Sequence, residues 1–164
     1  MSKLTIICGA AGVGKSTYGR GLAEERKACL LDSDTVTEPV VKAGMLLGDL
    51  DPNDRDSPAY RAAFRNPVYE CLFATAAENL AHVEVILVGP FTSELRDPAW
   101  KRKLEERFQV PVEIIYLTCD EPERKRRIEA RGNPRDGLKL QDWAEYSQGS
   151  DSALPCFEHR LVWT

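Results

Sequence analysis

No apolar run in this chain approaches the length needed to cross a bilayer, and no repeat, low-complexity tract or linker interrupts it. The amino end has no signal-peptide layout, because a short apolar strand runs directly into a glycine loop; the expected location is the cytoplasm. Histidine occurs only twice, and no cysteine pair shows a C-x-x-C or other metal-like spacing. The five cysteines, at 8, 29, 71, 119 and 156, are an odd set, and they read as buried free thiols of a reducing compartment. Positive charge is not in excess either. The net charge of −4 argues against broad nucleic-acid affinity and leaves only a local basic groove open. With 164 residues, 43% of them hydrophobic, the chain suffices for a single domain over 1–164 with a full core.

What is present is concentrated near the amino terminus. Gly9-Ala10-Ala11-Gly12-Val13-Gly14-Lys15-Ser16 fits G-x-x-x-x-G-K-[ST], with Thr17 behind it. Leu4 to Cys8 ahead of it is short, apolar and β-branched, a buried strand; Thr17 to Arg26 behind it carries Tyr18, Leu22 and Ala23 at helical spacing. Glycines let the backbone turn with positive φ and approach a ligand closely. Successive N–H groups then face one concavity, and the following helix adds its positive end. The natural guest is a di- or triphosphate, with Lys15 on the β- and γ-phosphates and the Ser16 hydroxyl a ligand of Mg²⁺.

Further along, a second strand is predicted over 28–31, ending in Asp32-Ser33-Asp34, followed by a loose helix over 35–47. Residues 48–58 form an acidic turn-rich loop. Ser57-Pro58 then caps a long helix to about Ala81 that buries Phe64, Val68, Leu72 and Ala76, with Pro67 a point of kinking or splitting. Strands follow at 84–88 and 112–117, helices from Asp97-Pro98 to Phe108, from Pro122 to Arg131 and over 140–146, and a last strand at 160–163. Strands alternating with helices imply a parallel sheet covered on both faces, whose ligands bind at the carboxyl ends of the strands. That rule gathers the glycine loop, Asp32–Asp34, Gly89–Thr92 and Thr118–Asp120 along one edge, where Asp32, Asp34 and Phe91 are expected to contact the acceptor.

A carboxylate that accepts the acceptor's proton is the expected partner in phosphoryl transfer to a hydroxyl. Asp32 and Asp34 both qualify by position, and one of them is also suited to cap the following helix. Six basic residues and one acidic one lie between Arg124 and Arg135. Arg127 and Arg131 share a helix face, with Arg135 in the Gly/Pro segment beyond, a pattern suited to a lid over about 124–137 that neutralises a transferring phosphate. Arg55, Arg61 and Arg65, with Tyr60 and Tyr69, are placed to line an acceptor pocket within about 35–80. The third strand ends in Gly-Pro-Phe and lacks the metal-supporting carboxylate of many motor and switch ATPases.

On these residues the chain resembles the small phosphate-loop kinases of the nucleoside-monophosphate-kinase-like fold. It is most similar to the branch with polynucleotide kinases, chloramphenicol and zeta-toxin phosphotransferases, and gluconate and shikimate kinases. The resemblance runs from Lys3 to about Trp143. It implies a three-layer αβα fold with a five-stranded parallel sheet in the order 2-3-1-4-5, and ATP with Mg²⁺ as cofactors. It also selects Asp34 as base, since Ser33-Asp34 matches the branch's pattern, and assigns the arginines of Arg127-Ile128-Glu129-Ala130-Arg131 to ATP. Thr37 stands where relatives often have an arginine, a departure from a polynucleotide 5′-end acceptor. The expected activity is transfer of the γ-phosphate of ATP to a hydroxyl of a small molecule, in a monomer or homodimer without membrane contact. A nucleotide or polynucleotide 5′-end kinase and an ATP-binding regulatory NTPase stay open as alternatives.

Overall fold

A computed structural model describes residues 2–149 and 153–164. Strands β1 (Leu4–Cys8), β2 (Cys29–Asp32), β3 (Val85–Val88), β4 (Val112–Thr118) and β5 (Arg160–Trp163) form one all-parallel sheet in the order β2-β3-β1-β4-β5. This is the strand order and architecture that the resemblance to small phosphate-loop kinases implies. Every residue of β1 is buried, as a central strand covered on both faces requires.

The pleat sorts alternate residues into two cores. Leu4, Ile6 and Cys8 face α4 (Asn66–Leu80) and α5 (Trp100–Phe108), meeting Leu72, Phe73, Ala76, Trp100 and Leu104. Ile7 faces the opposite way, joining Ile86, Val88, Ile115 and Leu117 beneath Leu22 and Ala23 of α1 (Lys15–Arg26). The α1 helix lies so close to the sheet that a Cβ on Gly19 would come within 2.7 Å of the Val88 side chain. No helix of the described residues is long and apolar enough to cross a membrane.

Several local expectations need correction. Strand β2 runs on to Asp32, and α2 (Ser33–Leu47) starts two residues earlier than predicted, because the Asp32 side chain accepts the Asp34 N–H at 3.0 Å and caps it. The long helix is split: a first turn, α3 (Pro58–Tyr60), opens on the Ser57 cap. A wide-turn π segment (Arg61–Arg65) then leads into α4, with Pro67 in its first turn. The wider turn rotates the buried face, so that Tyr69 and Phe73 enter the core with Leu72 and Ala76 while Phe64 and Val68 are only half-buried. The predicted helix over 140–146 is two short ones, α7 (Gly137–Gln141) and α8 (Trp143–Gln148), divided where Asp142 caps the second. All five cysteines are free, yet only Cys8 and Cys119 are buried, and Cys71 and Cys156 are exposed. Burial pushes the Cys8 thiol up to about 12, leaving it inert at neutral pH.

Candidate active site

The glycine loop leaves β1 between two walls that force its composition. Gly9 sits at φ +139°, and a Cβ there would fall 2.4 Å from the Leu117 carbonyl oxygen of β4. Gly12, at φ +86°, leaves room for Arg124 and Ile128 of α6 (Glu121–Arg131), which a Cβ would meet at 3.0 Å or less. Ala10 and Val13 turn inward and are buried, anchoring the loop on the sheet. What remains facing outward is backbone at the amino end of α1, a cradle for an anion.

Above it opens a cleft of about 520 Å³, within the range of small-molecule sites. It gathers most of the residues the sequence singles out: Ala10, Ala11, Lys15, Ser16, Asp32, Asp34, Arg55, Arg61, Arg131 and Arg135 all line it. Lys15 Nζ donates to the loop's own Gly9 and Ala10 carbonyls at 2.9 and 2.7 Å. Burial pushes its ammonium down to about 8, with Asp34 the largest influence in the opposite direction. Lys15 and Asp34, from the ends of different strands, therefore feel each other electrostatically across the cleft.

The two aspartates stand in different surroundings. Asp32 is 7% exposed and caps α2. Asp34, one turn out, presents its carboxylate to the cleft, where Arg135 donates to both oxygens at 3.3 and 3.0 Å. The same guanidinium reaches Glu38 at 2.8 Å, and Glu38 in turn accepts Arg55 at 3.0 Å. A continuous polar chain thus runs from the loop before α3, through α2, to the segment after α6. In that segment Asp136 is almost wholly buried and accepts from Arg131 at 2.6 and 2.7 Å and from Lys139 at 3.4 Å. Burial raises the Asp136 carboxyl, but these two cations outweigh it and hold the group below the usual carboxylate range.

Two expected contacts do not reach the cleft. Phe91 is expected to touch the acceptor; instead its side chain has no exposure, stacks on Tyr69 at a centroid distance of 4.8 Å and meets the tilted ring of Trp100 at 5.3 Å. A positive φ of 48° and an N–H bonded to the Tyr69 hydroxyl turn the ring under the cleft floor. Arg127 was expected to point at the transferring phosphate. Glu123, four residues earlier, holds it at 2.7 Å, and its other end donates to the Thr164 hydroxyl, so it flanks Gly14 on the outer side of the loop. Sequence reasoning missed Glu38 and Lys139, and gave Arg124 and Asp136 no part beyond membership of the segment 124–137. Helical spacing carried a signal for two of them: Glu38 follows Asp34 by four residues, and Lys139 follows Arg135 by four. Arg124 is buried beside the loop, its guanidinium 5.1 and 5.7 Å from the rings of Trp143 and Tyr146.

A family model described as an AAA domain matches residues 4–149. The chain belongs to that family. A curated relative of this AAA-domain chain, a shikimate kinase from Thermobifida fusca (strain YX), is 39% identical over 69 residues. That stretch covers 42% of this chain and 38% of the relative, so the match spans well under half of either. Among solved structures, a protein from Chloroflexus aurantiacus j-10-fl aligns with TM-score 0.66 and 20% identity over 99% of this chain and 86% of that one. A gluconokinase from Sinorhizobium meliloti 1021 aligns with TM-score 0.56 and 21% identity, over 98% and 81%. At these identities the structural likeness speaks for the fold of this AAA-domain chain, a small phosphate-loop kinase fold.

Proposed function

We propose that the cleft moves the γ-phosphate of ATP to a hydroxyl of a small molecule. The observation that carries this reading is the convergence of Lys15 and Asp34 on one cleft, a buried ammonium and a carboxylate free of capping duty. The curated relative's name, shikimate kinase, supports the same reaction class.

In this reading the loop N–H groups and Lys15 hold the β- and γ-phosphates, Lys15 exchanging the Gly9 and Ala10 carbonyls for phosphate oxygens. Among the described residues no group of three or more His, Cys, Asp or Glu side chains could hold a metal by itself. The Ser16 hydroxyl, in the first turn of α1, would hold Mg²⁺, which would supply charge neutralisation on the phosphates. Arg135 leaves Asp34 for the phosphates and joins Arg131 in neutralising charge there. Asp34, so released, takes the hydroxyl proton as the acceptor oxygen bonds to Pγ and the bond from Pγ to the ADP oxygen breaks. Thr17 steadies the α/β-phosphates, and Arg127, outside Gly14, is left to the nucleotide rather than to the transferring group. Arg55, Arg61 and the α2–α4 segment shape the acceptor pocket.

Asp34→Asn tests this. It should bind ATP with near wild-type affinity and lose at least a hundredfold in acceptor-dependent ADP formation, the scale of general base catalysis. Unchanged transfer by this variant refutes the role of Asp34.

A further inference from the structure

Glu38, one helical turn beyond Asp34 on α2, is held from both sides of the cleft through a single atom. Its Oε2 accepts from Arg135 Nη1 at 2.8 Å and from Arg55 Nη2 at 3.0 Å, while Lys42 stands 3.4 Å from Oε1. The side chains of Glu38, Arg135 and Arg55 are only 22, 15 and 12% exposed, so water screens these contacts little. Two guanidiniums on one oxygen repel each other, and each bond is weaker than it would be alone.

Each arginine is tied on its far side to a different part of the protein. Arg55 organises the loop before α3. Its Nη1 donates to the Pro52 and Asp54 carbonyls at 2.9 and 2.6 Å, and its guanidinium lies 5.1 Å from the centroid of the Tyr60 ring. Arg55, Asp56 and Tyr60 of that stretch line the cleft. Arg135 belongs to the segment after α6 and donates to both oxygens of Asp34 as well.

We infer that Glu38 is a positioning residue that couples the two walls: withdrawal of Arg135 leaves Oε2 to Arg55 and tightens the loop over 51–57. The direction follows from electrostatics. With one of two competing cations gone, the negative charge on α2 acts on Arg55 alone, and the loop that Arg55 stitches together opens less often. That a triphosphate is what withdraws Arg135 rests on the kinase reading; the competition for Oε2 does not.

Amide exchange of the loop tests both parts. The N–H groups of Asn53, Asp54, Asp56 and Ser57 are bonded within the loop and report its opening. Exchange is followed by NMR in the wild type, Arg135→Gln, Glu38→Gln and the double variant, with melting temperature showing that each is folded. Arg135→Gln should slow these amides about threefold or more, the scale of coupled ionic contacts, and Glu38→Gln should speed them. In the Glu38→Gln background, Arg135→Gln should change nothing. A non-hydrolysable ATP analogue with Mg²⁺ then takes the place of the Arg135 substitution. It should slow the wild-type loop by a similar factor and leave that of Glu38→Gln unchanged, with calorimetry showing the analogue bound to both. A Glu38 that only braced the loop would raise its basal exchange yet leave both responses in place, and that result overturns the inference. So does an Arg135→Gln effect that persists without Glu38, or the lack of any Arg135→Gln effect. A Glu38-dependent effect of Arg135→Gln, with bound analogue leaving the wild-type loop unchanged, upholds the coupling and counts against the step in which triphosphate withdraws Arg135. An analogue that does not bind counts against the kinase reading itself, and the four proteins without nucleotide then decide the coupling.

Discussion

Lys15 provides a prediction that can be worked to a number. Its ammonium is held at about 8 in the free protein by burial, and bound triphosphate returns it to its ordinary range or above, because negative phosphate favours the charged form. A group whose pKa rises on binding takes up protons as the ligand binds. From a free value near 8, uptake per ATP should be roughly 0.1 proton at pH 7, about 0.5 at pH 8 and about 0.9 at pH 9. Affinity follows with the same sign, flat below pH 8 and then falling by about tenfold per pH unit. Calorimetry of a non-hydrolysable ATP analogue in two buffers of different ionisation enthalpy measures the uptake directly. Lys15→Arg is the control, since a guanidinium stays charged throughout and should bind with no pH-dependent uptake. Uptake near zero at pH 8 to 9 in the wild type, or uptake that persists in Lys15→Arg, refutes the assignment of this lysine to the phosphates.

Other predictions follow from the packing. Phe91→Ala removes a ring packed against Tyr69 and Trp100 and should cost about 3–5 kcal/mol in chemical denaturation; a loss below 1 kcal/mol contradicts its place in the core. Asp32→Ala removes the α2 cap and should cost about 1 kcal/mol, with acceptor-dependent turnover surviving in the folded fraction. Complete inactivation of folded Asp32→Ala, with Asp34→Asn active, reverses the assignment of the base.

The sheet and the loop were legible because their signals are local. Four apolar runs and a glycine pattern between a strand and a helix specify a parallel sheet with a phosphate cradle at its carboxyl edge, and the same rule brings Asp32 and Asp34 to that edge without choosing between them. What escaped depends on tertiary direction. Phe91 follows β3 at the right edge, but a positive φ and the Tyr69 hydroxyl aim its ring inward, which no sequence period encodes. Arg127 has the correct spacing from Arg131, yet Glu123 captures it, and the left-handed turn at Gly132 carries the lid on so that Arg135, not Arg127, meets Asp34. Tyr69 and Phe73 displaced Val68 from the core because the π segment shifts the helix face. Glu38 and Lys139 were visible in principle, each one helical turn from a residue already singled out.

The most direct test of the kinase account is a crystal structure of the protein with Mg²⁺ and a non-hydrolysable ATP analogue. The account predicts the triphosphate in the loop, Lys15 Nζ moved from the Gly9 and Ala10 carbonyls to the β- and γ-phosphates, Ser16 on the metal, and Arg135 parted from Asp34. A triphosphate bound elsewhere, or bound in the loop with Arg135 still clamped on Asp34 and Lys15 still on the carbonyls, contradicts it.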